Sequence, residues 1–245
     1  MESKLILVTG GTSGIGMALC EKLLINGNRV VAIGRNEDAV LHLKNQYSES
    51  FMFKNFDLND VNLIDQLISE LVDQNGKFDG FVNCAGLEET IPLTLYTPAK
   101  IQSIFNLNVF AGIEILRNVS KKKHSNDFAS IVFLSSIMGQ LGQPGKVGYS
   151  ATKAAVTGIV KSAALELSKR KIRVNAILPG IVLTPMTEKL FLKLEQENIN
   201  QIIDMHPLGV GKVDDVIPLI LFLLSNGSKW ITGQNIIIDG GYSIQ

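Results

Sequence analysis

Short runs of consecutive apolar residues alternate along this chain with segments whose apolar positions recur every three or four residues. The runs at 4–8, 29–33, 51–56, 79–82, 131–134, 172–178 and 235–238 predict strands. Their near-continuous hydrophobicity is that of strands covered on both faces, which have no reason to alternate. Between them the helical period is plainest at 60–74, where Leu63, Ile64, Leu67, Ile68, Leu71 and Val72 share one face. Further helices are expected up to Leu24, from Thr97 to about Lys121, from near Tyr149, and over 214–225. Thr97-Pro98 supplies a capping hydroxyl and a first-turn proline. The helix that follows is apolar over much of its girth, through Ile101, Ile104, Phe105, Leu107, Val109, Phe110, Ile113, Ile115 and Leu116, which predicts a subunit interface. Residues 181–207 fall outside the alternation and predict a lid or substrate loop. The βαβ order implies an α/β fold: a Rossmann-like, doubly wound parallel sheet of about seven strands with helices on both faces and right-handed crossovers. No linker, charge block or repeat divides it, so 1–245 reads as a single domain.

Composition narrows the setting. A chain of 245 residues can bury a substantial core. Its formal net charge is zero, which gives no electrostatic case for nucleic acid or an anionic membrane as partner. No apolar run approaches the ~18 residues of a membrane span. The chain enters a strand and then a glycine loop within a few residues of its start, unlike a signal peptide. Cys20 and Cys84 have neither metal-ligand spacing nor a disulfide pattern, and His42, His124 and His206 are scattered. No metal is expected, and a reducing cytoplasm is the expected location.

Three stretches carry chemistry. Thr9-Gly10-Gly11-Thr12-Ser13-Gly14-Ile15-Gly16 lies between the first strand and a helix. There, glycines permit a tight turn and close backbone approach to a phosphate, which a helix N-terminus then receives. A plain strand-to-helix turn is the simpler alternative. The second strand ends in Gly34-Arg35-Asn36. An acidic residue at that place suits a ribose 2′-hydroxyl, whereas Gly34 followed by Arg35 suits a 2′-phosphate, unless Arg35 is only a surface residue. Finally, Ser136 sits at a strand mouth, thirteen residues before Tyr149, and Lys153 lies one helical turn beyond Tyr149. A free phenol has a pKa of about 10. A neighbouring ammonium is expected to lower it, making Tyr149 a usable acid or base on an oxygen held by Ser136. Alone, a Tyr-x-x-x-Lys pair also describes a solvated helix face.

Taken together, the glycine loop, Asn83-Cys84-Ala85-Gly86, Asn108, Ser136, Tyr149-x-x-x-Lys153 and Pro179-Gly180 resemble the short-chain dehydrogenase/reductase family over essentially the whole chain. Cys84 replaces the family's usual second Asn. The resemblance implies hydride transfer between a nicotinamide and a carbonyl or carbinol carbon, with an Asn108, Ser136, Tyr149, Lys153 tetrad. Tyr149 would exchange the proton, Lys153 would lower its pKa and hold the nicotinamide ribose, and Asn108 would hold a relay water. Cofactor contacts are implied at Gly10, Thr12, Ser13, Gly14, Ile15, Gly16, Arg35, Asp57, Leu58, Cys84, Ala85, Gly86, Tyr149, Lys153, Pro179, Gly180, Val182 and Thr184. NADP(H) is the preferred cofactor, with NAD(H) as the alternative.

Within the family the chain most resembles the 3-oxoacyl-acyl-carrier-protein reductases of fatty acid biosynthesis. The similarity lies in Ile231-Thr232-Gly233-Gln234, Asp239-Gly240-Gly241, Arg170 and Lys121-Lys122-Lys123-His124. The last two sites imply docking of an acyl carrier protein, and the family implies a homotetramer. A dehydrogenase of a small alcohol, sugar or hydroxysteroid is the alternative, and a non-catalytic nucleotide-binding scaffold the third reading.

Overall fold

The computed structural model describes residues 3–192 and 194–244. Strands β1 (Leu5–Thr9), β2 (Arg29–Gly34), β3 (Phe51–Asn55), β4 (Phe78–Asn83), β5 (Ser125–Leu134), β6 (Arg173–Pro179) and β7 (Asn235–Ile238) form one seven-stranded sheet. Every neighbouring pair is parallel, and the spatial order is β3-β2-β1-β4-β5-β6-β7. All five residues of β1 and all seven of β6 are buried, including Arg173 and Asn175, which are satisfied by bonds to Ser228, Ser225 and Ile231.

Helices cover both faces. One apolar layer joins α3 (Ile64–Asn75), α5 (Ala111–Val119) and α6 (Val147–Leu167) to the sheet, with Phe81 and Phe133 edge to face at 5.8 Å in its middle. The opposite layer is built from α1 (Gly14–Ile25), α2 (Leu41–Gln46) and α9 (Val213–Leu224). In α3 the buried residues are Ile64, Leu67, Ile68 and Leu71, the core stripe expected from the sequence. Leu63 instead falls in the 3-10 turn that leads into the helix and is exposed.

The Thr97 hydroxyl accepts the Lys100 N–H at 3.4 Å and starts α4 (Pro98–Phe105). This helix runs on into α5 through a π-helical turn, Asn106–Phe110, which the sequence pattern did not predict. Ile104, Val109, Ile115 and Leu116 are buried, while Ile101, Phe110 and Ile113 are exposed, so the chain itself covers only part of this helix's apolar girth.

Between β1 and β4 the winding direction reverses, because β2 and β3 lie to one side of β1 and all later strands to the other. A crevice opens outside the strand ends at such a reversal. The two strand ends are fastened there: the Thr9 hydroxyl donates to Asn83 Oδ1 at 2.8 Å and accepts the Ala85 N–H at 3.2 Å. The 181–207 stretch contains α7 (Pro185–Phe191) and α8 (Gln196–Asp204), neither with a buried residue and both outside the two core layers, and α7 borders the crevice.

Candidate active site

A cleft of about 300 Å³ lies over the reversal. Every cofactor contact expected from the sequence lines it, as do Ser136, Tyr149 and Lys153. Its floor is the glycine loop. Gly10 has φ +67°, and a Cβ there would stand 2.9 Å from the Ala85 nitrogen, so this left-handed position also brings β1's turn hard against the turn after β4. No side chain caps α1 at Ser13, which leaves its first-turn amides facing the cleft as anion donors. Thr184 closes the opposite wall. It caps α7 in a reciprocal box with Thr187, and its side chain lies where a Cβ at Gly14 would meet it at 3.4 Å.

At the β2 end, Arg35 Nη1 lies 3.6 Å from Asp57 Oδ2, and both side chains are well exposed. Asp57 also accepts the Asn59 N–H at 3.0 Å, and this amide, helped by Arg35, holds its carboxyl below the usual range. Thr12 occupies the space above Gly34 that a side chain would need. Arg35 is therefore a cation at the mouth of the cleft, with no acidic residue at Gly34 to oppose a phosphate.

The reacting end is assembled from three elements. Ser136 ends the strand-to-turn link after β5, where its Oγ accepts the Met138 N–H at 3.2 Å and stands beside the Tyr149 phenol, whose ionisation it eases. Tyr149 is in the first turn of α6, and Lys153 follows one turn later on the same face. The Lys153 ammonium lies 5.6 Å from the Tyr149 ring centroid and donates to Leu134 O at 2.9 Å. Ser135 fixes that turn by donating its hydroxyl to Lys153 O at 2.8 Å.

One electrostatic expectation is corrected here. Burial pushes the Tyr149 phenol up to about 12, with Ser136's hydrogen bond opposing and the Glu88 carboxylate adding to the rise. Burial also pulls Lys153 down to about 8. Desolvation thus dominates both groups, and Tyr149 is a protonated phenol, ready as a donor, across the neutral range.

Asn108 is the one tetrad residue that does not line the cleft. It sits in the π-turn, accepts the Leu87 N–H at 2.8 Å, and donates to Leu87 O at 2.9 Å and Thr152 Oγ1 at 3.1 Å. Its carboxamide thus pins the loop after β4 to α6.

Sequence reasoning placed Leu87 and Thr187 among pocket-lining stretches but missed Ser135 and the bonds that tie Leu87 to Asn108 and Thr187 to Thr184. Thr187 could have been found as the partner of Thr184 three residues earlier. It also missed the bond between Lys146, three residues before Tyr149, and Glu88, 58 residues away.

The implied carrier-docking residues have partners within the chain. Arg170 turns inward: Nε donates to Asp127 Oδ1 at 2.8 Å, and its terminal nitrogens donate to Ser120 O at 2.9 Å and Ser125 O at 2.7 Å. Lys121 is paired with Asp65 and donates to Asn118 Oδ1 at 2.8 Å, while His124 is buried. Only Lys122 and Lys123 of that turn face solvent freely, because the residues after it extend β5 and give Arg170 its partners.

Comparison with known proteins agrees with this geometry. The family described as enoyl-(acyl carrier protein) reductase matches residues 10–243. The chain belongs to the short-chain dehydrogenase/reductase family. It is accordingly an NAD(P)-dependent oxidoreductase. It is 34% identical to the 3-oxoacyl-[acyl-carrier-protein] reductase FabG of Thermotoga maritima over 249 aligned residues, covering 100% of this chain and 99% of that enzyme. It is 33% identical to a 3alpha-hydroxysteroid dehydrogenase of Mediterraneibacter gnavus, covering 98% of this chain and 97% of that one. Among solved structures, ElxO with NADP bound superposes with a TM-score of 0.86 at 29% identity over the whole of both chains. The two enzymes act on different substrates at nearly equal identity, so family membership leaves the substrate open.

The cleft fits a dinucleotide. Backbone approach at Gly10, uncapped amides of α1 and the cation at Arg35 suit its phosphates, and Tyr149 and Lys153 close the other end.

Proposed function

We propose that the protein is an NADPH-dependent carbonyl reductase whose Tyr149 protonates the substrate oxygen, with 3-oxoacyl thioesters as its first substrate class. The convergence of Ser136, Tyr149 and Lys153 at one end of the glycine-floored cleft carries this reading. A nicotinamide dinucleotide, when bound, supplies the hydride. The chain supplies the rest. Ser136 Oγ donates to the substrate oxygen and holds it beside the Tyr149 hydroxyl, which gives up its proton as negative charge develops there. Lys153, with its ammonium 5.6 Å from the Tyr149 ring centroid, stabilises the phenolate left behind and would hold a ribose hydroxyl of the dinucleotide. Asn108 keeps the loop carrying Leu87 in place over the site. Arg35 would bind a 2′-phosphate, which makes NADPH the preferred reductant and NADH the poorer one.

The second reading, a dehydrogenase of a hydroxysteroid, sugar or small alcohol, is favoured by the inward-turned Arg170, which leaves Lys122 and Lys123 as the exposed cations for an acidic carrier. Both readings place the enzyme in the cytoplasm. The test is initial-rate oxidation of NADPH and NADH with a short 3-oxoacyl thioester, a ketosteroid and a keto sugar. Fast thioester turnover, at least about tenfold better with NADPH, is the expected result. Turnover of only the other substrates moves the assignment to the second reading, and equal use of NADH removes the role given to Arg35.

A further inference from the structure

One buried charged cluster has no part in the mechanism above. Lys146 opens the turn into α6 and is 6% exposed. Its ammonium bonds the Glu88 carboxylate and donates to Thr90 Oγ1 at 2.7 Å, and the Thr90 hydroxyl donates to the same Glu88 oxygen at 3.0 Å. Holding the loop after β4 does not by itself explain these charges. A buried ion pair is no better a fastener than apolar side chains of similar size. The loop also has other anchors: Ile91 N–H donates to Gly145 O at 2.8 Å, and Tyr96 lies directly on Gly148, where any Cβ would collide with its phenol.

What sets the pair apart is its place. Lys146 Nζ is 5.8 Å from the Tyr149 ring centroid, nearly the same distance as Lys153 Nζ. Tyr149 is therefore faced by Lys153 on its own helix, by Lys146 from the preceding turn, by Glu88 from the loop after β4 and by Ser136 from the end of β5. At such distances in a poorly solvated site a unit charge shifts an ionisation substantially.

We propose that Lys146 and Glu88 form a charge-compensated positioning pair for Tyr149, in which Lys146 cancels at the phenol the carboxylate that the loop brings beside it. The proposal rests on the Tyr149 reading. Its logic is one of sign. Glu88, bonded to the ammonium that stands 5.8 Å from the ring, opposes the phenolate by its like charge. Lys146 alone favours it. Removing either charge must move the phenol in opposite directions, and removing both must nearly restore it, a pattern that loss of a fastener does not produce.

The test follows tyrosinate absorbance of the full chain in stopped-flow pH jumps, read before unfolding, with the matching Tyr149→Phe protein subtracted to remove Tyr47, Tyr96 and Tyr242. Glu88→Gln is expected to lower the Tyr149 ionisation by about one pH unit. Lys146→Met is expected to raise it, seen as lost tyrosinate amplitude at a fixed pH. Glu88→Gln/Lys146→Met is expected to lie within about half a unit of wild type. An unmoved or raised ionisation in Glu88→Gln overturns the proposal. Should Lys146→Met fail to fold by circular dichroism, the Glu88→Gln and double variants decide it. Carbonyl turnover by Tyr149→Phe separates the two failures. Retained turnover removes the Tyr149 reading itself, whereas lost turnover with an unmoved titration removes only the pair.

Discussion

Lys153 shows how burial can reverse what proximity suggests at the residue scale. The four-residue spacing to Tyr149 was legible in the sequence, but the pKa values were not, because desolvation depends on the loop and turns that close over both side chains. Burial holds Lys153 at about 8, against 10.5 for the free group. A base with a lowered folded pKa burdens the fold wherever the unfolded chain carries the charge, fully below about 8, where the fold must bury the ammonium, and less and less up to 10.5. Lys153→Met removes that burden along with the bond to Leu134. The stability difference between wild type and Lys153→Met, measured by denaturant unfolding, is therefore predicted to shift in favour of wild type as pH rises from 8 to 10.5. A difference that stays flat across that window contradicts the burial account. The Lys146–Glu88 contact was invisible for another reason: nothing local marks two charges 58 residues apart as partners.

At the scale of elements, the strands were legible because burial on both faces demands mostly apolar runs, and β1, β2 and β6 fall within a residue or two of their predicted limits. Three features escaped. Helix α2 carries only Val40 and Leu43 into the core from its region, too little periodicity to announce a helix. The π-turn around Asn108 is one extra residue in a continuous helix and leaves no compositional trace. The first half of β5, Ser125-Asn126-Asp127-Phe128, is polar and irregular, with Phe128 at φ 66°. Arg170 holds that segment from below through Ser125 and Asp127 and ties it to Ser120. Arg170→Ala leaves two buried-side carbonyls without their donor, so a loss of about 2 kcal/mol in unfolding free energy is expected, with kcat changed less than twofold. A variant as stable as wild type would mean that the guanidinium bonds contribute nothing net.

For the whole molecule, the sheet order places the reversal between β1 and β4, and that crevice gathers residues from Gly10 to Thr184 that are far apart in the chain. The motifs were readable because each has its own local reason to exist, a turn, a cap or a strand mouth, and the topology then brings them to one place. What the sequence pattern suggested about assembly takes a concrete form in the exposed apolar positions of the α4–α5 helix, Ile101 at 42%, Phe110 at 40% and Ile113 at 40%. We propose a homotetramer that buries this helix together with α6. Multi-angle light scattering at micromolar concentration is expected to give four times the chain mass, and Phe110→Glu is expected to lower that assembly; a wild-type monomer contradicts the proposal.

The most direct test of the central claim is the rate of NADPH-dependent carbonyl reduction by Tyr149→Phe, with the best substrate from the panel and saturating cofactor. The variant keeps the ring and its packing and removes only the hydroxyl that meets Ser136. If Tyr149 is the proton donor, kcat falls by about a hundredfold or more while NADPH binding, followed by fluorescence, changes little. A variant whose kcat stays within about tenfold of wild type would show that another group delivers the proton.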